Sequence, residues 1–216
     1  GALRPLSTDI ETWAGTSNGG FEIRHLVGAP PRHLRAAGPK QNPFRPWDQR
    51  LELTRVGDEH VLILNKYPVQ LGHMLLISQC WQPQVGWLSL VDWTAVCQVN
   101  QDTGGLWFFN SGPQAGASQP HRHLQLLPRT KGVRLCPREA WFQQHLLNAT
   151  SSRPMDSLER SIKIKPLPGT WSGSALLEIY LDLCQQSGLG SPQRDEKPLH
   201  PYNLLISARW MALVKR

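Results

Sequence analysis

The sequence predicts an α+β fold, an antiparallel sheet with helices packed against it, and three observations carry that expectation. Short apolar stretches of strand length recur with tight turns between them, and at residues 51–65 and 202–214 they read as hairpins. Two other segments, 89–100 and 173–186, repeat apolar residues at helical spacing. At 216 residues the chain can bury a real core, as one domain or a domain with an extension.

Taken in order, residues 1–38 form a poorly patterned arm. Leu3 to Thr16 has weak helical character, Gly15 to Gly20 is a turn cluster, and Phe21–Arg24 has the makings of a short strand. Pro30, Pro31, Gly38 and Pro39 then interrupt any regular element. They leave a basic stretch with Arg32, Arg35 and Lys40, whose plain reading is a solvated linker. Leu51–Val56 alternates apolar and polar residues, Gly57-Asp58 makes a turn, and His60–Asn65 returns as the second strand of a hairpin. Asn65 and Lys66, at its end, read equally well as turn residues or as ligand contacts. Gly72-His73 leads into a third strand, Met74–Ser78, with His73 read as structural.

Ser89 and Asp92 have capping-box spacing, with Asp in place of the preferred Glu, and predict a helix running to about Asn100. Trp93, Val96, Cys97 and Asn100 share one face of it, for packing on the sheet. A further helix is expected from Cys136-Pro137 to Leu147, a loop over 149–156, and a basic strand over Ile162–Leu167. Gly173–Gln186 has the amphipathic spacing of Leu176, Ile179, Tyr180 and Leu183. Tyr202–Ser207 and Trp210–Val214 close the chain as a hairpin.

Composition narrows the function. Nine tryptophans are many for this length and should be core or pocket walls. A net charge of +7 suits a polyanionic partner, either a polyphosphate nucleotide or a nucleic acid, and does not choose between them. No run is apolar enough to span a membrane, and the first residues lack a signal-peptide core. The four cysteines are scattered, so a reducing, cytoplasmic setting is expected.

The stretch around which the chemistry gathers is Asn110-Ser111-Gly112-Pro113-Gln114-Ala115-Gly116-Ala117-Ser118-Gln119-Pro120-His121-Arg122-His123-Leu124-Gln125. The apolar run Leu106–Phe109 before it reads as a buried strand. In the Gly- and Ser-rich loop, exposed backbone N–H groups can form an anion-binding concavity. After Pro120 the chain extends again, and alternation puts His121, His123 and Gln125 on one face, turned back toward the loop. A neutral imidazole over a phosphate cradle is an arrangement for attack on phosphorus. The bland alternatives are a histidine pair satisfied by backbone carbonyls or half of a zinc site. Zinc needs further ligands, and no C-x-x-C pair supplies them, so no metal site is expected.

The string N-S-G-x-x-x-G-A-S-Q-P-H-x-H-x-Q resembles the active-site segment of the diadenosine tetraphosphate (Ap4A) phosphorylases, or ATP adenylyltransferases. That family is a branch of the histidine-triad (HIT) superfamily. Three further pieces match: Pro39–Trp47 resembles an N-P-F-x-P entry segment, Leu64–Ile77 the central sheet, and Tyr202–Trp210 a Y-N-L-L-x-[ST]-x-x-W segment. The resemblance covers residues from Lys40 onward and implies a HIT-like nucleotidyltransferase domain over 39–216. The family continues into a further C-terminal segment beyond Lys215-Arg216, which is expected to be missing here.

What the resemblance implies is reversible phosphorolysis of Ap4A to ATP and ADP through an adenylyl-histidine. His123 would be the nucleophile, supported by His121. Gly116, Ala117, Ser118 and Gln119 would hold phosphoryl oxygens through backbone and side-chain donors. Asn110, Ser111 and Gln125 would line the same site, and Lys40, Asn65, Lys66 and Asn203 would reach the nucleotide. Gln125 stands where the superfamily's hydrolases place a third histidine, and an amide cannot readily deliver a proton, which favours transfer over hydrolysis. No cofactor is required, although Mg or Mn can accompany the substrate. The expected partners are the dinucleoside polyphosphate, ATP, ADP and inorganic phosphate, with the chain a monomer or small homo-oligomer. Two rivals stand beside this reading: a HIT-type hydrolase, and a non-enzymatic nucleotide- or RNA-binding module. The second lacks the aromatic and basic stripe used for single strands.

Overall fold

Alternation between two sheet faces dominates the architecture seen in a computed structural model, which describes residues 5, 7–13, 21–28, 42–68, 70–132, 135–147 and 160–216. The basic stretch with Lys40 and the loop expected at 149–156 lie outside the described residues. Eight antiparallel strands form the main sheet: β3 (Glu52–Val56), β4 (His60–Leu64), β5 (Met74–Ser78), β6 (Gly105–Asn110), β7 (His123–Pro128), β8 (Ile162–Pro166), β9 (Tyr202–Ile206) and β10 (Trp210–Lys215). Their spatial order is β3-β4-β5-β7-β6-β9-β10-β8. Three helices accompany them: α1 (Leu90–Asp102), α2 (Glu139–Leu147) and α3 (Gly173–Gln186). Both expected hairpins are present, β3–β4 and β9–β10. The α1 capping box also forms, with the Asp92 carboxylate accepting from the Ser89 N–H at 2.7 Å.

One expectation is overturned. Residues 8–13 are not helical but form β1 (Thr8–Trp13), paired with β2 (Phe21–Leu26) in a separate two-stranded sheet. The physical reason is legible afterwards: Thr8, Ile10 and Thr12 are β-branched and alternate with Asp9 and Glu11, a period-2 pattern. Strand pairing also satisfies their backbone groups across the register Ile10↔Arg24.

On one face of the main sheet, Leu62, Leu76, Leu124, Leu126, Trp107, Phe109, Leu204 and Met211 form a single core with Trp93 and Val96 of α1 and Leu176, Tyr180 and Leu183 of α3. Burial of each such side chain is worth roughly 1.5–3 kcal/mol, so this layer carries much of the fold's stability. Among the described residues, apolar clusters lie at the two ends of the opposite face. Phe44 caps Val61, Ile63, Leu75 and Ile77 at one end. At the other, α2 places Trp141 and Phe142 over Leu106, Leu127, Trp210 and Ala212. Between these two clusters the same face carries His123 and Gln125 of β7, Asn110 of β6 and Asn203 of β9.

Candidate active site

His121 and His123 differ in what their rings can do. The Phe44 N–H donates to Asn42 Oδ1 at 3.0 Å, which orients the amide so that its Nδ2 donates to His121 Nδ1 at 2.9 Å. The His121 proton therefore sits on Nε2, which donates to the Ser78 carbonyl at 2.8 Å and lies 3.0 Å from the Ser78 hydroxyl. Both ring nitrogens are occupied, so His121 is held in place. His123 Nδ1 lies 2.8 Å from the His121 carbonyl, which can only accept, so this nitrogen carries the proton. The lone pair is left on Nε2. Burial pushes the His123 imidazole down to about 4, and burial likewise lowers His121. His123 is thus a neutral imidazole at physiological pH, with its unshared pair on Nε2. Phe44 packs against both rings, at centroid distances of 5.7 and 5.4 Å, and Trp81 meets His121 edge-on at 5.3 Å.

The loop from Asn110 to Pro120 differs in detail from the expected cradle. A 3-10 turn at Pro113–Ala115 uses the N–H groups of Ala115, Gly116 and Ala117, which bond to Gly112 O, Pro113 O and Gly112 O at 3.0, 3.0 and 2.9 Å. Gly116 and Ala117 therefore shape the loop instead of presenting backbone donors. Gly116 has φ +91°, where a side chain would be strained. Among the described residues, the Ser118 hydroxyl and the Gln114 and Gln119 side-chain amides have no hydrogen-bond partner, so these groups of the loop are available. Ser111 is buried, and its hydroxyl accepts from the Tyr202 N–H at 2.8 Å. Asn203 Nδ2 donates to Asn110 Oδ1 at 2.8 Å and to the Ala115 carbonyl at 2.6 Å, while Arg216 Nε donates to Asn203 Oδ1. Ser111 and Asn203 thereby tie the loop to β9.

On the other flank, Asn65 makes an Asx turn with the Tyr67 N–H at 3.0 Å and donates to His73 Nδ1 at 3.1 Å. Burial lowers His73 to about 4, partly offset by the Gln125 side chain. Lys66 is exposed at the turn.

Three groups that the sequence pattern did not single out complete the site. Asn42 orients His121, as described. Gln84, only 1% exposed, places its amide between His123 and Asn110. Arg122, between the two histidines, projects through the sheet to Asp92 at 3.0 Å, and Asp92 also meets His60 at 2.9 Å. Burial alone raises the Asp92 carboxyl, but the His60 hydrogen bond and the Arg122 charge outweigh it and hold it below its usual value. An arginine between two motif histidines gives no sign of a partner across the sheet, and a lone Gln in a loop gives no signal either.

Among the described residues no group of three His, Cys, Asp or Glu side chains is placed to hold a metal ion, and no helix is long and apolar enough to cross a membrane. Two open concavities, one of about 580 Å³, lie at the far ends of β6 and β7, around Gly105, Arg129 and Lys131. They lie at the end of β6 and β7 away from Asn110 and His123.

Comparison with known proteins agrees with this geometry. The chain is 29% identical over 171 residues to protein APA1 of Saccharomyces cerevisiae, with 72% of this chain and 53% of the relative covered. It is 28% identical over 201 residues to diadenosine 5',5'''-P1,P4-tetraphosphate phosphorylase 2 of the same yeast, with 82% and 61% covered. The chain thus spans somewhat more than half the length of these relatives. The fold matches the crystal structure of the yeast Ap4A phosphorylase Apa2 in complex with AMP, at a TM-score of 0.71 and 24% identity, covering 99% of this chain and 73% of that one. Residues 1–140 match the model of the Ap4A phosphorylase N-terminal domain, and the chain belongs to that family.

Proposed function

We propose that this chain carries out the reversible phosphorolysis of Ap4A to ATP and ADP, with His123 as the nucleophile. One observation carries the reading: His123 Nδ1 is tied to the His121 carbonyl, which leaves the lone pair of a buried, neutral imidazole on Nε2, on the sheet face between the two apolar clusters. Nε2 attacks the α-phosphorus of one adenosine end, the bond to the bridging oxygen breaks, and ATP leaves with that electron pair. The His121 carbonyl faces the N–H of the cationic imidazole formed in this step and stabilises it. An oxygen of inorganic phosphate then attacks the adenylyl-phosphorus, ADP departs, and the electron pair returns to Nε2.

Within this reading, the Ser118 hydroxyl, the Gln119 amide and Asn110 Nδ2 bind phosphoryl oxygens, while Gly116, Ala117, Ser111 and Asn203 hold the loop in shape. Gln125 orients an oxygen and offers water no general base, which favours transfer. Asn65, Lys66 and Lys40 contribute to the nucleotide side. Residues 39–216 act as one nucleotidyltransferase domain, as a monomer or small homo-oligomer. Four free cysteines suit a cytoplasmic setting. The name of the yeast phosphorylase relative supports the substrate.

Product analysis with Ap4A, with and without inorganic phosphate, tests this. Equal ATP and ADP, formed only when phosphate is present, is the expected result, together with an acid-labile AMP adduct on His123 when it is absent. AMP and ATP formed without phosphate would establish a hydrolase instead. Intact Ap4A, with RNA bound in a steeply salt-dependent manner, would establish a binding module.

A further inference from the structure

We infer that Gln84 is a positioning residue for the transfer reaction, holding the nucleophile strand and the phosphate loop in register through its side-chain amide. The inference rests on the phosphorylase reading above. The ladder between β6 and β7 runs from Gly105↔Pro128 to Phe108↔Gln125 and ends there, two residues short of both His123 and Asn110. Beyond that point β6 stays with β9, through Asn110↔Asn203, while β7 stays with β5, through Ile77↔His123. The Gln84 amide fills the opening. Its Oε1 accepts from the His123 N–H at 2.8 Å, and its Nε2 donates to the Asn110 carbonyl at 2.7 Å and the His123 carbonyl at 3.2 Å. The partners fix the orientation of the amide, because one is an N–H and two are carbonyls. A side chain thus does the work of a peptide unit.

The segment bearing Gln84 is itself fastened to the histidines. Gln84 N–H donates to the Pro120 carbonyl at 2.8 Å, Arg122 N–H donates to the Gln82 carbonyl at 2.8 Å, and Pro83 forms a bridge with His121. Arg122 also donates to the Pro83 carbonyl at 3.0 Å. The amide is therefore held from behind while it holds His123 and Asn110 in front. A normal ladder at this point would draw Asn110 against His123 and leave less room for a phosphoryl group between loop and imidazole. The side chain keeps the two apart at a set distance, which is the geometry in-line attack needs.

The chemistry of the amide gives a test that loss of packing alone does not reproduce. Gln84→Met keeps the length and removes all three hydrogen bonds. It should lower kcat about a hundredfold with KM changed only a few-fold, since a nucleophile misplaced by about an ångström costs that much. Gln84→Glu keeps the acceptor for the His123 N–H but sets a carboxylate against two carbonyl oxygens. When protonated it again has one donor and one acceptor, so AMP transfer to His123 should recover as pH falls, a limb the parent protein lacks. Burst kinetics of adduct formation, with circular dichroism to verify folding, read both variants. Should Gln84→Met fail to fold, the pH dependence of Gln84→Glu decides alone. Parent-like kcat and pH profile in either folded variant would overturn the inference. Should the parent protein leave Ap4A intact, the functional reading falls, and amide hydrogen exchange at His123 then decides. Exchange accelerated by Gln84→Met upholds the positioning, and unchanged exchange removes it.

Discussion

The two faces of the main sheet are made by the same strands and the same alternation, yet one is continuous and the other is divided. Toward α1 and α3, apolar side chains run unbroken from Leu62 to Met211. On the reverse side, among the described residues, Phe44 covers one end and α2 the other, and the polar middle holds His123, Gln125, Asn110 and Asn203. Neighbouring residues of β7 therefore belong to different tasks. Leu124 and Leu126 pack against the helices, whereas His123 and Gln125 lie on the opposite, polar face. Cohesion and reactivity are separated by one residue in sequence, not by distance in the chain.

The sharpest way to break this contrast is a pair of adjacent substitutions. His123→Ala should cut phosphorolysis by roughly ten-thousandfold or more, because it removes the nucleophile of the proposed reaction. Leu124→Ala should instead lose about 2–5 kcal/mol of stability by opening a cavity, with kcat per folded molecule within a few-fold of the parent. Urea titration and steady-state kinetics on both variants compare the faces directly. A folded but inactive Leu124→Ala protein would mean the faces are not independent.

The two serines of the loop sharpen the contrast at finer scale. Ser118→Ala removes an available hydroxyl and should slow turnover by about a hundredfold with the fold intact. Ser111→Ala removes the hydroxyl that accepts from the buried Tyr202 N–H, and should cost about 1–3 kcal/mol of stability with a smaller kinetic effect. Equal kinetic effects from both would erase the distinction between binding and bracing.

A pH series produces the smallest effect. His73 and His123 are held at about 4 in the folded protein by burial, against 6.5 for the ordinary group. Their contribution to stability is complete above about 6.5 and declines as pH falls, because the unfolded chain takes up protons that the folded one refuses. The decline ends near 4, where the folded imidazoles also protonate. A fall in Tm on the order of 10 °C across this window is expected by calorimetry. Activity of the folded protein should show its acidic limb near 4; a limb at 6.5 would mean that the His123 environment is wet.

Much of this arrangement was readable before the coordinates, and the exceptions have physical causes. The hairpins, the capping box of Ser89 and Asp92, and the face shared by Trp93, Val96 and Cys97 follow from periodicity and local hydrogen bonding. His121, His123 and the loop were legible because the residue types occur together in an unbroken string. The use of the Gly116 and Ala117 N–H groups within the turn was not, since the same glycine-rich composition serves an open nest and a closed 3-10 turn alike. Gln84 was invisible because its importance comes from where two strands part, a property of the sheet. Thr8–Trp13 was misread as helical because a short segment with mixed polarity takes its structure from the partner that it meets.

The bond from Asn203 to Asn110 joins residues 93 apart in the sequence, and β6 has β9 as its neighbour on that side. A ribosome making this protein therefore completes the histidine strand long before the strand that anchors the phosphate loop. Until Tyr202–Ile206 emerges, β6 presents an open edge of unpaired backbone groups, a template for wrong pairing with other chains. Pairing at such long separation is also slow, because the intervening loop must close before any bond rewards it. The nascent chain thus passes through a stage in which its histidine strand is made while its loop hangs loose, and the emergence of β9 is what fixes that loop.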